Sequence, residues 1–252
     1  MILLIDIGNT RLKWAELREG QLSPQSALGH ASADRIGLFE DMLRSSDAPE
    51  RALISNVGGR EIGDACATAI RERWGIAPEI VVATSRAAGV TNAYREPDKL
   101  GVDRWLAVIA AHSRQQGPAC VVSVGTAMTI DGIDAAGRHL GGVIVPGPQL
   151  MVASLLSNTS EIAGRMSDSD SARSVFANHT KGAVVQGCAH ALAGLVDRAV
   201  AEMQRTLGVQ PKLLLTGGAS EAIAPLIGVH EVIPDLVLRG LAVLANPNAA
   251  AR

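Results

Sequence analysis

Short apolar runs ended by polar, glycine-bearing turns dominate the first half of the chain. Residues 1–5 are the first, closed by Asp6-Ile7-Gly8-Asn9-Thr10. Residues 12–17 are the second, closed at Gly20. Strand, tight turn and strand make a hairpin with its polar residues at the tip. Gly8 and Asn9 are the residue types that best tolerate positive φ there. Apolar residues recur at helical spacing over 33–44 and 61–74, while 51–56 (RALISN) and 78–82 read as strands. Residues 98–113 predict a loop running into an Ala-rich helix.

The second half opens like the first. Residues 119–122 form an apolar strand, Ser123-Val124-Gly125-Thr126-Ala127 a turn, and residues 128–133 a returning strand. Aligning Gly8 with Gly125 sets Asp6 on Ser123, Ile7 on Val124 and Asn9 on Thr126. Two related hairpins, each starting half of the chain, predict two similar lobes, 1–115 and 116–252, with a ligand cleft between them. The boundary falls in the turn-forming stretch 115–118 (QQGP). Beyond it, 140–148 predicts a strand flanked by glycines and prolines, and 149–156 a helix. Residues 157–178 predict a polar, Ser-rich loop, 182–205 a long packed helix, and 212–216 (KLLLT) a strand ended by Gly217-Gly218.

Composition narrows the functional classes. The 252 residues are 47% hydrophobic and only 2% aromatic, so the core is built from Leu, Ile, Val and Ala, as in α/β proteins with sheets covered on both faces. A net charge of −2 and few stacking aromatics argue against a nucleic-acid binder. Cys66, Cys120 and Cys188 lie far apart with no CxxC pair, which predicts small buried hydrophobes in a reducing, cytoplasmic compartment. Asp6 interrupts the first apolar run, and no segment reaches the roughly 18 apolar residues of a membrane span.

The candidate chemistry lies in the turns. A glycine at a hairpin tip lets backbone N–H groups approach phosphate oxygens, and an adjacent Asp holds Mg²⁺ directly or through water. Either hairpin alone reads more readily as an ordinary polar turn; the pair, with Thr216-Gly217-Gly218 as a third glycine-bearing strand end, favours a ligand. GxxxxGK[ST] and GxGxxG are both absent. Gly101-Val102-Asp103-Arg104 opens a helix. Its acid and base read either as a cap and surface ion pair, or as a proton acceptor for a substrate hydroxyl beside an anion-binding guanidinium. His179 sits in the polar loop as a solvated side chain without a role, and the other histidines show no metal spacing.

These motifs together resemble the type III pantothenate kinases. The resemblance rests on Asp6-Ile7-Gly8-Asn9-Thr10-Arg11-Leu12-Lys13, on Gly101-Val102-Asp103-Arg104, on Gly125-Thr126-Ala127 with Thr129 and Asp131, and on Gly141-Gly142-Val143-Ile144-Val145-Pro146-Gly147, all in order and spacing. It covers nearly the whole chain. The resemblance implies an α/β protein of two ribonuclease-H-like lobes of the acetate-kinase/hexokinase/actin-like fold, assembled as a homodimer. It implies ATP-dependent phosphorylation of pantothenate to 4′-phosphopantothenate, the first step of coenzyme A synthesis. By the same resemblance Asp6 to Lys13 form the first phosphate loop, with Asp6 near Mg²⁺, and Thr126 contacts ATP phosphates. Asp103 is the general base. Tyr94, Gly101, Val102, Asp103 and Arg104 line the pantothenate pocket, and Thr180 reaches the substrate from the partner subunit. Thr216-Gly217-Gly218 resembles the superfamily's adenosine segment.

One position departs from the family. Ser123 stands where the family has an Asp associated with a monovalent cation, K⁺ or NH₄⁺. Serine keeps an oxygen but loses the charge, so either the K⁺ requirement is relaxed or another carboxylate substitutes. Two other functions use the same fold: a kinase or hydrolase for another small hydroxylated substrate, and a nucleotide-binding transcription accessory protein. ATP turnover with and without pantothenate separates them.

Overall fold

The computed structural model describes residues 1–29, 39–45, 47–114, 117–158 and 174–246. The chain forms two compact units: Met1–Gln116 with Ala135–Gly141 and Asp235–Arg252, and Gly117–Asp134 with Gly142–Pro234. The helix expected over 33–44 and the polar loop over 157–178 fall partly outside the described residues, as does the turn at 115–118.

The first unit runs β1 (Ile2–Ile7), β2 (Arg11–Arg18), β3 (Gln21–Leu22), β4 (Ser26–Gly29), α1 (Glu40–Ser45) and β5 (Arg51–Asn56). It continues through α2 (Arg60–Trp74), β6 (Glu79–Ile80), the short hairpin β7 (Arg86–Ala87) and β8 (Val90–Thr91), and α3 (Val102–Arg114). The main sheet has the order β3-β2-β1-β5-β6, with β4 also on β2. β1 pairs antiparallel with β2 and parallel with β5. β1 is buried on both faces, which is why it reads as a continuous apolar run rather than an alternating one. Leu3, Ile5 and Ile7 join Ile54, Ile62, Cys66 and Ile70 in one cluster. Leu4, on the opposite face, packs with Leu53, Val102 and Leu106.

The second unit begins with β9 (Ala119–Val124) and β10 (Ala127–Ile133), followed by β11 (His139–Pro146), whose first three residues are counted with the first unit. It continues with α4 (Pro148–Asn158), α5 (Thr180–Leu207), β12 (Lys212–Thr216) and β13 (Glu231–Val232). Its sheet order, β11-β10-β9-β12-β13, repeats that of the first unit: three antiparallel strands, then two added in parallel beside the first strand. This is the ribonuclease-H-like arrangement expected of each lobe. Cys120, Val122, Val124, Met128 and Ile130 pack with Leu192, Val196 and Met203 of α5 on one face. Period two then puts Ser123 and Thr129 on the other.

The chain finally rejoins the first unit as α6 (Leu236–Ala245). Sequence patterning assigns nothing here, because LVLRGLAVLA has scarcely any polar face to mark an amphipathic helix. α6 packs on α3 at Gly240, where a Cβ would lie 2.2 Å from the Leu106 carbonyl oxygen. At α5 the structure corrects one reading: His179 is the N-cap, its Nδ1 accepting from the Gly182 N–H at 3.0 Å, not a solvated loop side chain. Cys66, Cys120 and Cys188 are free and buried, and burial pushes the Cys66 and Cys120 thiols up to about 12. No helix among the described residues is long and apolar enough to cross a membrane.

Candidate active site

Asp6 occupies the last turn of the pleat before the first hairpin, opposite Lys13 on β2 and beside Ser55 on β5. It is 6% exposed, and the Ser55 hydroxyl donates to its Oδ1 at 3.2 Å. Burial raises its carboxyl to about 6, Lys13 opposes the rise, the charge of Asp103 adds to it, and the Ser55 hydrogen bond lowers it. The influence of Asp103 follows from the fold. Asp6 shares a strand face with Leu4, which packs on Val102 and Leu106 of α3, so the helix start that carries Asp103 is turned toward the same face.

The hairpin tip is closed by Gly8 N–H donating to the Arg11 carbonyl at 2.9 Å. Asn9, Thr10 and Arg11 are exposed and Lys13 is half-buried. The segment after β5 braces the tip, with the N–H groups of Val57 and Gly58 both donating to the Ile7 carbonyl. A Cβ on Gly58 would lie 2.6 Å from the Gly8 oxygen, so only glycine lets the two backbones approach. Ile7 and Leu12 point into the core as strand residues, which limits what they can offer a ligand to their backbone groups.

Gly101 explains the position of Asp103. A Cβ there would sit 2.7 Å from Asp103 Oδ1, and that oxygen also accepts the Arg104 N–H at 2.9 Å. The carboxylate therefore folds onto the first turn of α3, where the helix N-terminus favours negative charge. Arg104 is not a surface side chain: it is 5% exposed, its Nη1 donates to the Tyr94 hydroxyl at 2.9 Å, and its guanidinium carbon lies 5.6 Å from the Tyr94 ring centroid. The structure thus brings Tyr94, Arg104 and Asp103 to one end of α3, and Val102 anchors that end in the core. Ser55 and His139 belong to this neighbourhood and carry no sequence signal. Ser55 reaches Asp6 only through parallel strand pairing, and His139 stacks on Tyr94.

In the second unit Ser123 lies opposite Thr129 and beside Thr216. Ser123 and Thr129 are half-buried and Thr216 is buried, so the position equivalent to Asp6 is lined by hydroxyls. This set does not fit a cation held by charge. Asp131 is buried two residues farther along β10, opposite Val121 rather than Ser123. Thr126 is exposed at the tip, where Gly125 N–H donates to the Ala127 carbonyl and Gly147 N–H to the Thr126 carbonyl. Two further glycines let the chain close on this hairpin. A Cβ on Gly147 would lie 2.0 Å from the Gly125 oxygen, and one on Gly217 would lie 2.2 Å from the Val124 oxygen. A cavity of about 540 Å³ adjoins Gly218, lined also by Pro148, Gln149, Val152, Ala219 and Glu221. Thr180, the first residue of α5, lines a separate cavity of about 660 Å³ with Met151, Leu155 and Cys188.

Among the described residues no group of three or more His, Cys, Asp or Glu side chains could hold a metal ion. Asp6 nevertheless fits the looser habit of Mg²⁺, which takes one or two carboxylates and completes its shell with water and phosphate. A buried carboxylate whose ionisation is penalised by burial is a group that a divalent cation would relieve.

The model of the type III pantothenate kinase family matches residues 2–202. The type III pantothenate kinase of Nitrosococcus oceani is 34% identical over 259 residues, covering 100% of this chain and 96% of the relative. That of Aromatoleum aromaticum is 38% identical over 255 residues, covering 100% of both. That of Laribacter hongkongensis is 40% identical over 248 residues, covering 98% and 99%. Among solved structures, a Campylobacter jejuni protein of the Baf transcriptional activator family matches with a TM-score of 0.60 at 22% identity, over 98% of this chain and 99% of that one. A Sinorhizobium meliloti protein assigned as a 2-dehydro-3-deoxygalactonokinase matches with a TM-score of 0.59 at 15% identity, over 97% and 98%. At these identities the two structures speak for the fold alone.

Proposed function

The chain belongs to the type III pantothenate kinase family, an ATP-dependent kinase of pantothenate in coenzyme A biosynthesis, and from that premise we propose how its residues divide the reaction. Asp103 accepts the proton of the pantothenate primary hydroxyl. Arg104, with Tyr94, Gly101 and Val102 around it, binds the substrate, its guanidinium matching the pantothenate carboxylate. The first hairpin, Asp6 to Lys13, and Thr126 at the second hold the phosphates of ATP through backbone N–H groups and polar side chains. The cavity beside Gly218 is the place for adenosine. Mg²⁺ at Asp6, directly or through water, would neutralise charge on the transferring phosphoryl group.

Such a transfer asks for alignment and charge stabilisation more than covalent chemistry. The observation that carries the reading is the seating of Asp103, folded onto the start of α3 against Gly101, beside a buried guanidinium and electrostatically coupled to Asp6. Thr180 completes the site from a partner subunit. That part is supported by exposed apolar side chains of the second unit, among them Ile144, Val175, Phe176 and Val185. Buried free cysteines suit a cytoplasmic enzyme. The test of the base is Asp103→Asn: ATP binding by titration calorimetry stays intact while turnover falls about 10²–10⁴-fold. Full activity in that variant rejects the assignment.

A further inference from the structure

Tyr94 is the only tyrosine of the chain. It belongs to a stretch, 92–96, without strand or helix, so its ring direction must be set by neighbours. The backbone is pinned by Asn92, which is buried: its Oδ1 accepts from Tyr94 N–H at 3.0 Å, and its Nδ2 donates to the Thr84 and Pro97 carbonyls. The ring is held by two groups. Arg104 donates to the hydroxyl, and the His139 imidazole stacks on the ring with centroids 6.2 Å apart and planes 14° from parallel. The distance and angle describe an offset stack.

His139 is itself firmly placed. It is 4% exposed and opens β11, and its Nδ1 accepts a long hydrogen bond, 3.5 Å, from Ala93 N–H. The residues just before it are latched to β8, with Thr91 N–H donating to the Gly137 carbonyl at 2.8 Å and Thr91 bridged to Arg138. A Cβ on Gly137 would lie 2.2 Å from the Gly89 oxygen, so that latch closes at backbone contact. A rigid segment thus presents an imidazole to the ring whose hydroxyl orients the buried guanidinium.

We propose that His139 is a positioning residue for pantothenate binding: through the Tyr94 ring it fixes the pose of Arg104, and it touches neither the nucleotide nor the transferring group. The inference rests on the reading of Tyr94 and Arg104 as the pantothenate pocket. A long, flexible guanidinium binds a carboxylate well only when its rotamer is already chosen, so loss of the stack should weaken substrate binding rather than chemistry.

Steady-state kinetics of the full chain, with thermal melting of each variant, test this. His139→Ala should raise the pantothenate KM about three- to tenfold, the size of a lost aromatic stack, while kcat and the ATP KM move little. His139→Phe, which keeps a ring, should recover most of the loss; His139→Asn, which keeps an acceptor without a ring, should not. An unchanged pantothenate KM in a folded His139→Ala protein, or an equal rise in the ATP KM, overturns the proposal. Should the alanine variant fail to fold, the contrast between Phe and Asn decides it alone, and equal behaviour of those two overturns it. Tyr94→Phe and Arg104→Ala separate the two layers. If they raise the pantothenate KM and His139→Ala does not, only the role of His139 falls; if they too leave it unchanged, the pocket itself has been misplaced.

Discussion

The two hairpins stand at equivalent places in two sheets of the same strand order, and their chemistry differs. In the first, Asp6 lies between Lys13 and Ser55; in the second, Ser123 lies between Thr129 and Thr216. The first tip spans 8–11 and the second 125–127, one residue shorter. Both are braced by the glycine-bearing end of the next parallel strand, Gly58 in one unit and Gly217 in the other. Topology therefore decides that a strand end and its hairpin tip are exposed, and side chains decide what charge that end can carry. The first holds an ionisable group under strain from burial. The second holds neutral hydroxyls, suited to hydrogen bonding with phosphate oxygens and poorly suited to a cation bound by charge.

The largest expected break of this comparison is in turnover. Asp6→Asn should lower it about 10²–10⁴-fold, as loss of a metal-holding carboxylate does, while Ser123→Ala should cost less than about tenfold, the worth of a neutral hydrogen bond. Equal losses in the two variants would contradict the asymmetry. Next in size is the bracing. Gly217→Ala places a Cβ 2.2 Å from the Val124 oxygen at a φ of +98°, and should destabilise by about 3–4 kcal/mol. Gly8→Ala meets the Arg11 oxygen only at 3.3 Å and should cost under about 1 kcal/mol. Denaturant melts compare them directly.

A third contrast is in pH. Asp6 has a folded carboxyl near 6 against 3.8 when unperturbed, so the folded state binds a proton between those values that the unfolded state does not. In metal-free protein this group makes stability rise as pH falls through 6 toward 4, by about 3 kcal/mol in all. The increment should vanish in Asp6→Asn and persist in Ser123→Ala. The smallest effect tests the missing charge. Wild-type melting should be the same in Na⁺, K⁺ and NH₄⁺, whereas Ser123→Asp should gain on the order of 3–5 °C from K⁺ tenfold above its Kd. A saturable K⁺ shift in the wild type would show that another group supplies the charge.

Much of the fold was legible beforehand because it is local. β5 and β12 run over the expected residues, and the hairpins, α2 and α3 follow the expected runs to within a few positions. The GVDR segment was legible as the start of a helix, although its reading as a surface feature was not sustained for Arg104, since burial depends on what else packs there. The short strands β3, β4, β7, β8 and β13 were not legible, because so few residues carry no period. His179 was misread because a cap is defined by the helix after it, not by its own polarity.

By itself the sequence determined the two hairpins, their glycines, the apolar strands behind them and the acid that begins α3, since each depends on neighbours within a few residues. Only the tertiary structure decided that β5 lies parallel to β1 and brings Ser55 to Asp6, that α6 returns to the first unit, and that His139 stacks on a tyrosine 45 positions earlier. Those contacts join residues far apart in the chain. They are selected by burial and close backbone approach across a whole unit, which no local pattern encodes.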